Sequence, residues 1–532
     1  MKIGIYDTTL RDGAQGAGVS FSPEDKLNII RALDRLGISY IEAGMVTDEA
    51  GKEFFRSLGG LELENAKLSV FTPTVHPGVR AEDSEILRDS AAAPVTVAAV
   101  FGKSSLYHVK EVLRTTPEEN IRMIKDSVRF LCEAGKEVIF DAEHFFDGYS
   151  DNPSYALEVL AAASEAGAST LVLCDTNGGM LPDVVGMTTE RVCREFPSVG
   201  IHAHNDLGMA VSCTVSAVLS GAAHVQGTVS GIGERCGNAN LNTLIPLLQL
   251  KLGFDCVRDN IKRITSTAKY VSEISNRTFD ESEPFVGAYA FTHKAGAHID
   301  GIRKDPRSFE HVDPASVGNL RNTVISELSG RAAVTDKIGA LTPLSGLDKD
   351  DPRVAEAVRI LREREKLGYV YEQAEGSLSL IVDGITGERV SHFDLLAFKV
   401  IAEDATDTPD GDELMKSSAM IKIAVGGSEE IAAAEGNGPV NAMDRALRRA
   451  LTRFYPEVGG MKLTDYRVRV IDSGATASAV RVLIESTDGV TVWRTVGVST
   501  DIINASWQAL RDSVEYMLSH VTKSDPAPNT EV

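Results

Sequence analysis

The sequence predicts an α/β fold: a (β/α)8 TIM barrel, then a linker and cap subdomain, then a C-terminal α+β domain. Three observations carry this. Eight short, β-branched apolar runs recur through the first 275 or so residues, each ending in polar residues. Near-continuous apolar runs are what strands buried on both faces require. Amphipathic helical stretches lie between most of them, and eight such units in about 250 residues match a closed barrel. The rival, a doubly wound open sheet, carries a G-x-G-x-x-G turn after its first strand. Here that turn reads Thr8-Thr9-Leu10-Arg11-Asp12-Gly13.

In chain order the barrel strands are read as Ile3–Tyr6, Tyr40–Met45, Leu68–Thr72, Val95–Phe101, Val138–Phe140, Thr170–Leu173, Gly200–Ala203 and His224–Val229. Ser22-Pro23-Glu24-Asp25 opens one helix, with Ser as N-cap, Pro in the first turn and acids near the positive dipole end; Thr116-Pro117-Glu118-Glu119 opens another. These units make residues 1–275 the barrel. Residues 276–375 form the cap and linker subdomain, with a loop-rich stretch around Glu283–Asp300 and a solvated, charge-dense helix over Asp351–Lys366. Residues 376–520 form the third domain. Its strands are read as Ser377–Val382, Ala397–Ala402, Met420–Val425, Tyr466–Ile471, Ala479–Ser486 and Val490–Val498. Its helices are Ala442–Phe454 and Ile502–His520, the second capped by Thr500 or Asp501. Residues 521–532, with Asp525-Pro526-Ala527-Pro528, read as a disordered tail.

Composition narrows the function classes. The 532 residues hold 43% hydrophobic and 24% charged side chains, the balance of a globular protein. Lys plus Arg is 54 against 76 Asp plus Glu, a net charge of −22. That excludes a general binder of nucleic acid or anionic membrane, which needs a basic face. No run approaches the roughly 18–20 apolar residues of a membrane helix. The first residues enter a strand without the apolar stretch of a signal peptide. The six cysteines form no C-x-x-C motif and read as reduced thiols, so the expected location is cytoplasmic.

The active site of such a barrel sits at the C-terminal ends of its strands, and chemistry-bearing residues collect there. His202 and His204, two apart on a strand, point to one face. They are either a hydrogen-bonded pair or two ligands of a divalent metal. Asp12, from a first loop read as diametrically opposite, can add a carboxylate, and Asn238 a carbonyl oxygen; together they favour the metal. Mixed N and O donors suit Mg2+, Mn2+ or Zn2+ and leave positions open for a chelating substrate. Arg11 either holds a carboxylate or developing alkoxide, or makes a rim salt bridge to Glu143 or Asp175. Glu143 binds substrate or makes that same bridge. Thr176 offers its hydroxyl to a substrate carboxylate or caps a turn. His298, beside Asp300, is an acid–base unit or part of a solvated loop.

The strings Asp7–Gln15, His202–Asp206, Gly231–Asn238 and His293–His298 resemble the 2-isopropylmalate synthase/homocitrate synthase/citramalate synthase family over nearly the whole chain. Phe101-Gly102-Lys103-Ser104 and Phe140–Tyr149 look most like its citramalate synthase branch. The resemblance implies that Asp12, His202, His204 and Asn238 ligate the metal and that Arg11 is the electrostatic catalyst. It implies that Glu143 and Thr176 contact a 2-oxo acid and that His298 is the acid–base residue of the cap. It also implies a regulatory and dimerisation role for the C-terminal domain, on Gly436–Ala442, Asp472-Ser473-Gly474 and Thr500-Asp501-Ile502, and hence a homodimer. Phe309 stands where relatives often carry Tyr. The implied reaction is a Claisen condensation of acetyl-CoA with pyruvate, and isoleucine is the expected feedback inhibitor, ahead of leucine. A synthase acting on a larger 2-oxo acid is the nearest alternative. A hydroxymethylglutaryl-CoA-lyase-like enzyme, which lacks the C-terminal module, and an amino-acid-binding protein with a dead barrel are more distant ones.

Overall fold

The computed structural model describes residues 1–293, 296–323, 351–371, 374–403, 416–471 and 478–521. Residues 1–292 with 310–322 form one compact unit, and residues 293–309 with 323–532 a second.

The first unit is the barrel. Its parallel strands are β1 (Gly4–Asp7), β2 (Tyr40–Gly44), β3 (Lys67–Pro73), β4 (Val97–Lys103), β5 (Glu137–Glu143), β6 (Thr170–Asp175), β7 (Val199–Ala203) and β8 (His224–Gly227). They hydrogen-bond in sequence order, and β8 closes on β1 with Gly4 opposite His224. The helices form because the sequence caps them. In α1 (Pro23–Leu36) the Ser22 hydroxyl accepts from the Asp25 N–H at 3.1 Å, and the Asp25 carboxylate accepts from the Ser22 N–H at 2.8 Å. Thr116 caps the helix over Pro117–Glu133 by accepting from the Glu119 N–H.

Strand alternation sorts the side chains. Ile5, Ile41, Val138, Phe140, Leu171, Leu173 and Ile201 face the helices in the main core. Tyr6, Val97, Ala99, Ile139, Val172 and Cys174 fill the floor of the lumen. Above that floor, Glu42 of β2, Asp141 and Glu143 of β5, His202 of β7 and Gln226 of β8 take inward positions. In the closed order only β8 separates β1 from β7. The loop carrying Asp12 is thus a near neighbour of His202, not diametrically opposite it.

In the second unit, α2 (Gly296–Lys304) is followed by α3 (Pro352–Lys366) and α4 (Glu375–Thr386). The predicted strand Ser377–Val382 is therefore helical. Leu378, Ile381 and Val382 pack with Val354, Ala357 and Leu361 of α3 in one cluster. All residues from Gly376 to Asp383 are buried, so their alternating Ser-Leu-Ser-Leu reflected no solvent face. Two antiparallel sheets follow: β9 (Asp394–Glu403), β10 (Lys416–Val425) and β11 (Ser428–Gly436), then β12 (Lys462–Val470), β13 (Val480–Thr487) and β14 (Val492–Ser499). Strand β11 is an addition to the predicted set. The helices α5 (Pro439–Leu451) and α6 (Ile502–Tyr516) share a core with both sheets, built on Ile421, Ile423, Leu447, Ile484, Trp493 and Leu510. Asp501, rather than Thr500, caps α6 by accepting from the Ile503 and Asn504 N–H groups. The predicted tail after Val521 and the Asp472-Ser473-Gly474 string lie outside the described residues. No helix among the described residues is long and apolar enough to cross a membrane.

Candidate active site

The inward faces of β7 and the turn after β1 meet at the barrel mouth. His202 Nε2 lies 3.3 Å from His204 Nε2. Asp12 Oδ2 is 3.6 Å from the first and 3.9 Å from the second. All three residues are buried, and one ligand atom from each lies within 4.8 Å of the others. Asn238 completes the group. Its Nδ2 donates to Asp12 Oδ1 at 2.9 Å, while its buried Oδ1 has no hydrogen-bond partner among the described residues. Burial lowers the pKa of His202, with the adjacent His204 ring adding to the effect; burial lowers that of His204 as well. Both rings are thus held neutral, the form that ligates. Burial alone would raise Asp12, but the Arg11 guanidinium beside it, with the Asn238 hydrogen bond, outweighs burial and lowers its pKa.

The glycine run after β8 shapes this corner. Gly233 has φ +157 and Gly237 φ +85. A Cβ on the first would collide with the Asn238 amide and on the second with the Gly231 carbonyl. The run lets the chain fold back so that Asn238 reaches Asp12. Arg235 locks the result. Its guanidinium grips Asp206 at 2.8 and 2.9 Å and donates to the Thr176 carbonyl at 2.9 Å, tying the loops after β6, β7 and β8.

Arg11 is fixed from several sides. Nε donates to Glu42 Oε2 at 2.6 Å, Nη1 to Asp12 Oδ2 at 3.1 Å, and the guanidinium lies 3.8 Å from the centroid of Phe71. These partners replace the Glu143 or Asp175 bridge considered from sequence. Glu42 is fully buried and also accepts from Tyr6 at 2.7 Å and from the Thr8 hydroxyl. Burial and then Glu42 push Asp141 up to about 8. The Asp141 carboxyl accepts from Gln226 Nε2 at 2.9 Å, and Gln226 Oε1 faces His202 Nδ1 at 3.0 Å.

Glu143 ends β5 and pairs with Lys103 of β4 at 2.6 Å. Thr176 follows β6, where its hydroxyl accepts from the His144 N–H of the loop after β5 at 2.8 Å, a contact between loops rather than a cap of its own turn, and its own proton is left to donate. His144 is in the left-handed region at φ 58 and stacks on His108 with centroids 3.7 Å apart. Burial, then the carboxylates of Asp141 and Glu143, drive the Cys174 thiol up, with Arg11 and Asp12 also within its field. The β5 and β6 residues therefore share one lumen with the Arg11–Asp12 corner. His298 belongs to the second unit, on α2, where it stacks on Phe309 at 4.3 Å; Asp300 Oδ2 accepts from Lys304. Sequence reading gave no role to Glu42, Lys103, Asp141 or Gln226. The available signal was a charged or amide residue at an inward position of a strand otherwise apolar, as in Tyr-Ile-Glu-Ala-Gly.

Comparison with known proteins places this geometry in a family context. Residues 2–271 match the HMGL-like family model, residues 285–366 the homocitrate synthase post-HMGL domain-like model, and residues 372–518 the LeuA allosteric (dimerisation) domain. The chain is 46% identical to an (R)-citramalate synthase of Aquifex aeolicus, over 97% of this chain and 98% of that one. It is 44% identical to one of Synechocystis sp., over 97% and 96%, and 42% identical to one of Geobacter sulfurreducens, over 97% of each.

Proposed function

The chain belongs to the (R)-citramalate synthase family, and on that premise we propose that its barrel condenses acetyl-CoA with pyruvate and water to give (R)-citramalate and CoA. The observation that carries the reading to residues is the buried meeting of Asp12, His202 and His204. Two neutral rings with Nε2 atoms 3.3 Å apart can share one proton at most. A divalent cation would satisfy both lone pairs, the Asp12 carboxylate and the unpartnered Asn238 oxygen at once. Asp12, His202, His204 and Asn238 would hold it, and Mg2+, Mn2+ or Zn2+ suits the set. When bound, such an ion supplies Lewis acidity toward a 2-oxo acid.

The remaining steps fall to side chains. The Thr176 hydroxyl donates to the pyruvate carboxylate, and Glu143, held by Lys103, orients the rest of the 2-oxo acid. His298 takes a proton from the methyl carbon of the acetyl thioester. The resulting enolate carbon bonds to the keto carbon, whose π electrons move to oxygen. Arg11, already fixed by Glu42 and Asp12, meets that developing negative charge without reorganising. The alkoxide is protonated. Water then cleaves the thioester, and the sulfur leaves as the CoA thiol.

We also assign feedback by isoleucine, with leucine as runner-up, and homodimer formation to the C-terminal unit. The support is the match of residues 372–518 to a LeuA allosteric (dimerisation) domain. A CoA-release assay across glyoxylate, pyruvate, 2-oxobutyrate, 2-oxoisovalerate and 2-oxoglutarate tests the main reading. Pyruvate is expected to give the highest kcat/KM, chelation to abolish turnover, and a divalent ion to restore it. Preference for a larger 2-oxo acid would overturn the substrate assignment. Full turnover of metal-free protein would overturn the metal assignment.

A further inference from the structure

We infer that Asp141 and Gln226 form a relay that holds His202 in the one tautomer able to ligate a cation, which makes both of them positioning residues of the site. The inference rests on the metal reading above and deepens it. Three inward-facing residues from three strands are involved: Asp141 of β5, Gln226 of β8 and His202 of β7. Gln226 is fully buried, and Asp141 nearly so. The amide therefore finds its partners in protein rather than solvent.

The direction of the relay follows from donor and acceptor chemistry. Gln226 Nε2 donates to Asp141 Oδ1 at 2.9 Å. With its nitrogen committed there, the amide turns its oxygen to His202 Nδ1, 3.0 Å away. An amide oxygen only accepts, so Nδ1 must carry the ring proton. Nε2 is then left with a lone pair aimed at His204 Nε2 and Asp12 Oδ2. Were the Asp141 acceptor lost, the amide could rotate by half a turn and present its NH2 to Nδ1. That would move the ring proton to Nε2 and point an N–H at the cation. His204 has no equivalent anchor among the described residues, since its buried Nδ1 finds no hydrogen-bond partner among them. The oriented half of the histidine pair is therefore His202. A partner on the distal nitrogen is the general means by which a protein fixes a ligating imidazole; here an amide relays that partner across the lumen.

The test measures binding of Zn2+ alone to the full-length protein by competition with a chromophoric chelator. Circular dichroism and thermal unfolding of the metal-free variants check the fold. Gln226→Leu and Asp141→Leu are expected to weaken Zn2+ about 10–100-fold. Asp141→Asn, whose side-chain oxygen can accept the same N–H bond, is expected to stay within about 3-fold of the parent, the residual allowed for a conserved hydrogen bond. If the leucine variants do not fold, Gln226→Met, close in length, replaces them. Parent-like affinity in Gln226→Leu or its substitute overturns the relay while leaving the metal site standing. Equal loss in Asp141→Asn and Asp141→Leu also overturns it, because keeping an acceptor for the Gln226 N–H would then make no difference. A parent protein that binds no more tightly than His204→Ala overturns the metal reading itself, and the relay with it.

Discussion

Arg11 gains its chemical value from what surrounds it. Glu42 takes Nε, Asp12 takes Nη1, and Phe71 lies under the plane of the guanidinium. Only a planar fork meets all three at once. Arg11→Lys keeps one positive charge but cannot bridge the two carboxylates while stacking on the ring. If Arg11 meets charge that develops in the transition state, kcat falls on the order of 10²–10³ and KM moves much less. Steady-state kinetics beside thermal unfolding separates the alternatives. A lowered midpoint with near-parental kcat would mean that Arg11 only braces the rim. The metal corner was legible in the sequence because its residues come from three short strings, and strand periodicity puts His202 and His204 on one face. The partners of Arg11 were not legible. Glu42 lies on the neighbouring strand β2, and which side chains of adjacent strands meet depends on their register, which no local pattern reports.

At the scale of elements, the seam that closes the barrel has a distinctive build. His224 opens β8 and stands opposite Gly4 of β1 and Gly200 of β7. A Cβ at Gly200 would lie 2.9 Å from the His224 ring. Gly200 thus makes room for an imidazole at the lumen floor, flanked by Tyr6 and Tyr40 at 5.4 and 5.5 Å between centroids. Burial lowers its pKa to about 4 from an ordinary 6.5. Above pH 6.5 the ring is neutral in folded and unfolded chains alike and contributes no pH dependence. Between about 6.5 and about 4 the unfolded chain binds a proton that the folded one refuses, so stability falls as pH falls, by about 3 kcal/mol in all. His224→Gln should remove that slope. Denaturant midpoints of parent and variant at pH 7, 5.5 and 4.5 are expected to converge or cross in the variant's favour on acidification; parallel curves would reject the idea. The barrel strands were readable because each is an apolar run ending in polar residues. In the second unit the same signal misled over α4, buried all round, where Ser-Leu-Ser-Leu fits either period. It also missed β11, whose Ile-Ala-Ala-Ala has weak strand propensity. The Gly426-Gly427 pair, with φ +55 and +84 and with Val425 opposite Ser428, was the available hairpin signal.

On the scale of the whole molecule, the Asp12–His202–His204 corner and Arg11 belong to one compact unit, while His298 and the assigned feedback belong to the other. A ligand in the second unit can change turnover only through its differential affinity for two arrangements of the chain, typically worth about 1–3 kcal/mol or roughly 5–150-fold. The carboxylate of such a ligand is expected near the glycine-rich turn at Gly436–Gly438 and the Asp501 helix start. These two are unequal. Asp501 spends its own carboxylate on the Ile503 and Asn504 amides, which fills that end of α6. Gly438, at the start of α5, offers no side-chain cap, so the Gly436–Gly438 turn is the better candidate. Deleting everything after Gly376 is a poor test, because the cut would fall within α4 and strip its Leu378 and Ile381 from α3. A point change is cleaner. A Cβ at Gly436 would sit 2.5 Å from the Ala442 nitrogen and from Asn441 Oδ1, so Gly436→Val must displace the start of α5. Isothermal titration should then show isoleucine binding to the parent and lost in the variant. CoA release by the variant should persist and no longer respond to isoleucine, with light scattering checking that the oligomeric state is unchanged. If the parent binds neither isoleucine nor leucine at millimolar concentration, feedback is wrong for this chain, and dimerisation alone is left to account for its C-terminal domain.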